Sequence, residues 1–519
     1  MADRIPLIVN PDANQIQELP VGDTLVVDGL SSVSITADGT IAANAAVVLT
    51  SAGKAAGIST VAESFGSETT WLTHTGSLQV SAVNEMEWDA SQNTVLINWT
   101  TNDSTRNMTA GVLSGNSITW NTTPESFGTH LTPAFAVNGE GGGLAVYRLS
   151  GTGDMFYKTF TLSGSTITMG SQTTLSTYTP SPSGNSPDRP YCEYLTKEGS
   201  SHYFVVAYRT GFDSASGDGM EMIARIAKWD GQDSVTLGTE VQIGSTVTSN
   251  TDRGNIWPRI VPLEDDRFLL YDSGDYHVCT REAGTTNFRV GIANSNITGA
   301  IGEDSNHPRY HPRTKYLITV DGGSIDGDIL VWSIDGENIN YRFKADLPSY
   351  ITAPGNGHCI LTDKGQVLFS YITGAFGNGR QLIGNFNDAR DTIIWSDPTT
   401  YSTNASNLGG LPRILNTTDG KVVHVYYSGS SGNEDGKAVV SQTETTTLTE
   451  DTFLGFSSSG YSDGDSARIK VLGNVTTQSG LTAGKKYYVQ DDGTLGTSKG
   501  SLGVVAGKAL TTTSLLVTQ

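Results

Sequence analysis

Gly111-Val-Leu-Ser-Gly-Asn-Ser-Ile-Thr-Trp120 and, one interval later, Phe160-Thr-Leu-Ser-Gly-Ser-Thr-Ile-Thr-Met169 are two copies of one pattern. Apolar and small polar residues alternate on both sides of a Ser-Gly-Asn or Ser-Gly-Ser centre. Gly and Asn reach the positive φ values that a tight turn needs, so each copy predicts a β-hairpin. Weaker copies read Asp335-Gly-Glu-Asn-Ile-Asn340 and Asp388-Ala-Arg-Asp-Thr-Ile-Ile-Trp395. The hairpin therefore closes a unit that recurs.

Working outward, each hairpin follows an apolar run that begins at Val95, Leu144, Phe204, Phe268, Tyr316, Val367 or Val422. The intervals are about 48 to 64 residues, which suits a four-stranded blade with variable loops. Ahead of these runs lie short strands such as Ala134-Phe-Ala-Val137, Tyr191-Cys-Glu-Tyr194, Ile260-Val-Pro-Leu263 and His358-Cys-Ile-Leu361. Four antiparallel strands leave two bare edges per unit, and radial closure protects them. The spacing predicts a seven-bladed β-propeller over residues 65–450. Its last blade is completed either by Glu68-Thr-Thr-Trp-Leu72 or by Thr443-Glu-Thr-Thr-Thr-Leu448, and the sequence leaves both open.

The flanks have another texture. Ser34-Ile-Thr-Ala-Asp-Gly-Thr-Ile41 and Ala46-Val-Val-Leu49 precede the repeats; Phe453-Leu-Gly-Phe456, Ala467-Arg-Ile-Lys-Val-Leu472, Lys486-Tyr-Tyr-Val489 and Ser514-Leu-Leu-Val517 follow them. Too few strands precede the repeats to bury a core alone, whereas both flanks together supply about eight. The expectation is an all-β chain whose propeller is inserted into a small β-sandwich or barrel made from residues 31–64 and 451–519. Residues 1–30 hold Pro6, Pro11 and Pro20 and read as an extended docking arm.

Composition agrees with this reading. The 519 residues include 60 glycines, and no window sustains helical apolar periodicity. A formal net charge of -21 disfavours nucleic acid and anionic lipid as partners. No apolar run is long enough to span a membrane, and Met1-Ala-Asp-Arg-Ile-Pro6 does not read as a secretory signal. Cys192, Cys279 and Cys359 lack metal-ligand spacing and read as small buried hydrophobes.

The opening Ala2-Asp-Arg-Ile-Pro-Leu-Ile-Val-Asn10, with Ile16-Gln-Glu-Leu-Pro-Val-Gly-Asp-Thr-Leu25, resembles the amino-terminal segment of tail-fibre and other virion proteins of marine tailed phages, cyanophages especially. Gly480-Leu-Thr-Ala-Gly-Lys-Lys-Tyr-Tyr-Val-Gln-Asp-Asp-Gly-Thr-Leu495 is similar to their carboxy-terminal domain, and the 112–120 hairpin to a repeat of phage propeller regions. The resemblance implies a virion structural protein, made in the host cytoplasm, with other virion proteins and copies of itself as partners. A fibre would be a homotrimer. A tail fibre or surface adhesin attaching to host surface polysaccharide is the first reading; a purely architectural tail, neck or capsid-decoration protein is the alternative. A glycan-degrading virion enzyme ranks below both.

The search for chemistry yields one candidate site. Arginine stands beside proline at Arg189-Pro190, Pro258-Arg259, Pro308-Arg309 and Pro412-Arg413, near the start of blades. If Arg189, Arg259, Arg309 and Arg413 project to the axis, they form a basic ring able to bind an anionic sugar or an ion. The plainer reading makes Pro-Arg a blade-opening device whose arginines bond carbonyls or neighbouring carboxylates. His307-Pro-Arg-Tyr-His311 and the Gly-rich stretches 213–219 and 321–328 do not match metal-site patterns. Phe212 and Phe376 are candidates for stacking on sugars. No catalytic residue, metal or cofactor is expected, and the protein reads as a non-enzyme.

Overall fold

The computed structural model describes residues 7–10, 15–18, 32–50, 52–61, 63–73, 80–101, 105–128, 131–148, 154–177, 188–209, 220–231, 233–247, 258–264, 266–272, 275–294, 309–312, 314–321, 328–349, 351, 357–362, 365–374, 376–387, 390–406, 412–417, 420–430, 433–443, 445–449, 451–499 and 503–518. Among them the chain forms antiparallel β-sheets and no α-helix. It divides into two compact units, residues 62–443 and residues 1–61 with 444–519.

In the first of these units, Val80–Asp89, Thr94–Thr101 and Arg106–Ser114 pair in succession, and Arg106–Ser114 also pairs with Ser117–Trp120 and Glu125–Gly128. The outer edge is thus one strand broken by a turn. Leu131–Val137, Gly142–Arg148 and Met155–Ser163 repeat the arrangement with Thr166–Met169 and Thr173–Ser176 outside. So do the sheets opening with Asp188–Glu198 and Arg259–Pro262. The sheet opening with Arg309–His311 has a continuous outer strand, Asn338–Asp346. The quoted hairpins are present, with Gly115 at φ 57° and Gly164 at φ 56° in their turns.

Every apolar run singled out in the sequence lies in a second strand, from Thr94–Thr101 through Lys421–Ser430. These strands have paired neighbours on both sides and packed sheets on both faces, which explains why they read as continuous apolar runs. Their alternate residues serve different neighbours. Leu144 and Val146 pack with Phe204, Val206 and Trp229, whereas Ala145 and Tyr147 pack with Leu96, Phe135 and Phe160. Val95, Ile97 and Trp99 of the first sheet pack with Val423, Val425 and Tyr427 of the last. Each buried Leu, Val, Ile or Phe among them contributes about 1.5–3 kcal/mol.

The opening strands are themselves neighbours in chain order: Val80–Asp89, Leu131–Val137, Asp188–Glu198, Arg259–Pro262, Arg309–His311, Gly357–Leu361 and Arg413–Asn416, the last lying beside the first. Side chains bond across these seams, as where Arg413 Nε donates to the Val83 carbonyl at 3.2 Å.

The choice left open for the last sheet falls to the earlier segment. Thr69–Leu72 pairs with Asn433–Gln442, register Gly436↔Leu72 and Ala438↔Thr69, and Ser64–Phe65 pairs farther along the same strand. The two pieces repeat the broken outer edge of the other sheets. Trp71 fills the space over Gly436, where a Cβ would lie 2.3 Å from the indole, and its Nε1 donates to the Lys437 carbonyl at 3.1 Å. Thr445–Thr446 pairs instead with Thr60–Val61, in the other unit.

In that other unit the two flanks share one sheet, ordered Ser32–Thr36, Ser466–Lys470, Phe453–Ser457, Ala46–Leu49, Ala55–Gly57. A second sheet, ordered Val475–Thr477, Ser514–Val517, Val505–Ala509, Lys486–Val489, Leu495–Gly496, comes wholly from the carboxy-terminal flank. Val48, Phe453 and Phe456 of the first pack with Tyr487, Val489, Leu515 and Val517 of the second, so the sheets stack face to face around a common core. Ten strands form these two sheets, more than the eight expected. The reading of residues 1–30 as an unpaired extended arm is corrected in part: Leu7–Asn10 and Gln15–Glu18 pair antiparallel, register Val9↔Ile16.

Candidate functional site

A cavity of about 290 Å³ lies among the opening strands of the 62–443 unit. Consecutive residues of these strands line it, so the strands meet the cavity along their edges rather than with one face. Glu85 and Glu87 come from Val80–Asp89, Tyr191 and Glu193 from Asp188–Glu198, and His358 and Ile360 from Gly357–Leu361. Arg309 and Arg413 enter from the first residues of their strands.

The three carboxyls are deep in the protein, yet each keeps part of its surface open along the cavity. Burial raises Glu85 from 4.5 to about 8, against the opposing pull of the Phe135 backbone N–H, which donates to its Oε2 at 2.9 Å. The neighbouring Glu193 adds repulsion, and Arg259 and Arg413 offset part of it. Burial pushes Glu87 well above the usual carboxylate range, reinforced by Glu193 and Glu85 and relieved by Arg309. Glu193 rises to about 7 through burial, moderated by Arg309 and by a hydrogen bond with Tyr191. Desolvation disfavours the charged form in each case.

His358 behaves oppositely for the same reason. Its Nδ1 accepts the Ile414 N–H at 3.3 Å, and burial beside Arg309 and Arg413 drives its pKa well below 6.5. The ring is therefore neutral at physiological pH, with its proton on Nε2. The lining mixes guanidinium donors, carboxyls able to donate or accept, a neutral imidazole and the rings of Phe135 and Tyr191.

Arg309 and Arg413 thus meet at one cavity, as the sequence suggested, but the expected basic ring is corrected. Arg259 is buried behind the lining, donating to its neighbour Pro258 O at 3.1 Å, with its guanidinium 5.3 Å from the Tyr191 ring centre. That is the plainer reading of Pro-Arg, and the Arg413 bond to Val83 O shares it. Arg189 opens the strand Asp188–Glu198, and its side chain lies outside the described residues. The three glutamates change the site's character, and sequence reasoning missed them. Glu193 sits inside the quoted inner strand Tyr191–Tyr194, and Glu85 and Glu87 alternate ahead of the first apolar run, a pattern that reads equally well as the solvent face of a strand. A carboxylate in the innermost strand of a packed sheet needs a cavity or a partner.

The remaining candidates separate. His311 is buried, and its Nδ1 accepts the Thr314 N–H at 3.2 Å; His307 lies outside the described residues. Residues 213–219 and 322–327, Phe212 and the Phe376 side chain are also outside them. Among the described residues no group of three or more His, Cys, Asp or Glu is gathered closely enough to hold a metal ion. The three cysteines are buried and free, with Cys279 and Cys359 pushed up to about 12 by burial. They are inert thiols packed as apolar groups.

No known sequence family and no curated protein matches the chain. Solved structures share its general course at low identity. A protein from Lactobacillus plantarum is 14% identical, with a TM-score of 0.43, covering 67% of this chain and 94% of its own. The WD40 domain of SCAP from fission yeast is 10% identical, TM-score 0.38, covering 74% and 90%. The Aleuria aurantia lectin, solved with α-methyl-L-fucoside, is 11% identical, TM-score 0.33, covering 64% and 98%. At such values none of these likenesses bears on what this chain binds.

Proposed function

We propose that residues 62–443 are a seven-bladed β-propeller inserted into a β-sandwich built from both chain ends. We further propose that the protein is a non-enzymatic structural component of a tailed-phage virion. In this reading it is a tail fibre or surface adhesin that docks through its terminal domain and presents the propeller to host glycan. The observation that carries the architecture is the closed succession of opening strands, in which Arg413–Asn416 returns to lie beside Val80–Asp89. The interleaving of Ser32–Thr36 and Ala46–Leu49 with Phe453–Ser457 and Ser466–Lys470 in one sheet supports the insertion. The virion assignment rests on the resemblance of the two ends to phage tail proteins.

Radial packing leaves each blade only a short outer edge, broken by a turn in most of them, which suits a surface exposed on a particle. Copy number then supplies avidity from weak single contacts. The test is electron cryomicroscopy of intact particles carrying this protein, with a glycan array on the purified chain. The expected results are density for a propeller at the tail or particle surface, a trimer by light scattering and retention of host polysaccharide. Absence from purified particles removes the virion reading, and release of reducing sugar removes the non-enzymatic one.

A further inference from the structure

We propose that the cavity among the opening strands is a binding site for one neutral sugar ring, held through its hydroxyl groups by Glu85, Glu87, Glu193, Arg309 and Arg413. This deepens the adhesin reading and rests on it for the source of the sugar, though not for the binding itself.

Three features of the lining select that ligand. The first is balance of sign. Three carboxyls face two guanidiniums, with Arg259 behind them acting on Glu85. Glu193, raised to about 7 and so partly ionised at pH 7, opposes a fixed anion, and Arg309 and Arg413 oppose a fixed cation. A polyhydroxyl ligand avoids both penalties, because each hydroxyl donates to or accepts from a carboxyl in either protonation state and accepts from a guanidinium. The second is composition: the carboxyls, the guanidiniums and the His358 imidazole converge on one space among apolar residues such as Ile260, Ile360 and Ile414. The third is size. About 290 Å³ lies at the small end of ligand pockets, room for one ring rather than a chain. His358, fixed as a neutral ring by the Ile414 N–H, lines the same space without adding charge. The raised carboxyl pKa values fit as well, since a carboxyl kept neutral near pH 7 both donates and accepts.

The test is calorimetric titration of the full chain at pH 7 with the methyl glycosides of glucose, galactose, mannose and N-acetylglucosamine. Galacturonate and tetramethylammonium serve as charged probes. At least one neutral glycoside is expected to bind, weakened roughly tenfold or more in Glu193→Gln and in Arg309→Gln. Should either variant fold poorly by its melting curve, hydrogen exchange of the native protein gives an independent reading. The bound glycoside is expected to protect residues 188–198 and 357–361. Binding of only the uronate or the ammonium ion would overturn the proposal, as would no binding, or binding that both variants leave unchanged. Adsorption of the protein to host cells is measured separately, so the cavity can fail as a sugar site while the adhesin reading stands.

Discussion

Glu85 concentrates the physical tension of the cavity in one side chain. Its folded pKa is raised from 4.5 to about 8, so between those values the native protein holds a proton that the unfolded chain has released. Stability from this group is complete below about pH 4.5 and falls as the pH rises toward 8, with Glu193 adding the same trend up to about 7. The slope approaches about 1.4 kcal/mol per pH unit for each fully shifted group. Glu85→Gln keeps an acceptor for the Phe135 N–H and removes the titration. The substitution is expected to have little effect at pH 5 and to be more stabilising by on the order of 3 to 4 kcal/mol at pH 8. Denaturant melts at the two pH values measure it; an equal effect at both would mean that Glu85 ionises normally in the fold. None of this was legible from residues 84–87 alone, where an alternating Glu reads equally well as the solvent face of a strand.

Thr69–Leu72 shows the same limit at the scale of an element. Both it and 443–448 are short Thr-rich segments with one or two apolar residues, and local propensity does not separate them. Packing does. Trp71 lies 5.7 Å from the Trp99 ring and 6.2 Å from the Tyr427 ring, joining the first and last sheets through one indole. Gly436 is the counterpart that makes room for it, as Gly111 does for Trp120 and Gly384 for Trp395. Trp71→Ala is expected to cost about 3–5 kcal/mol. It should also raise amide exchange along Asn433–Gln442 before the other sheets respond, because the closing strand loses its anchor. Uniform exchange across all sheets would mean that closure does not depend on this strand. The second strands, by contrast, were legible: all the anchors from Val95 to Val422 lie in them, since a strand buried on both faces leaves a contiguous apolar run.

For the whole molecule, the division into residues 62–443 and the joined ends makes a prediction about fragments. Residues 62–443 contain both strands that complete the last sheet, Ser64–Phe65 and Thr69–Leu72. Expressed alone, they are expected to unfold cooperatively with a β-rich circular dichroism spectrum. Residues 444–519 alone lack Ser32–Thr36, Ala46–Leu49 and Ala55–Gly57, three of the five strands of one sheet. They are expected to be largely unfolded until residues 1–61 are supplied, which heteronuclear NMR of the two fragments reads directly. A well-dispersed spectrum from 444–519 alone would show that its second sheet needs no partner.

By itself the sequence determined the all-β class, the repeating hairpin, the buried second strands and the kinship of the two flanks. These are written in local periodicity and turn chemistry, which act over a few residues. Tertiary structure alone decided which segment closes the last sheet and what lines the cavity. Both depend on residues hundreds of positions apart, Trp71 against Tyr427 and Glu85 against Arg413, meeting only when the succession of strands returns to its start. The arginines were visible because proline marked them; the glutamates that share their cavity carried no such mark, and only proximity gives them their altered chemistry.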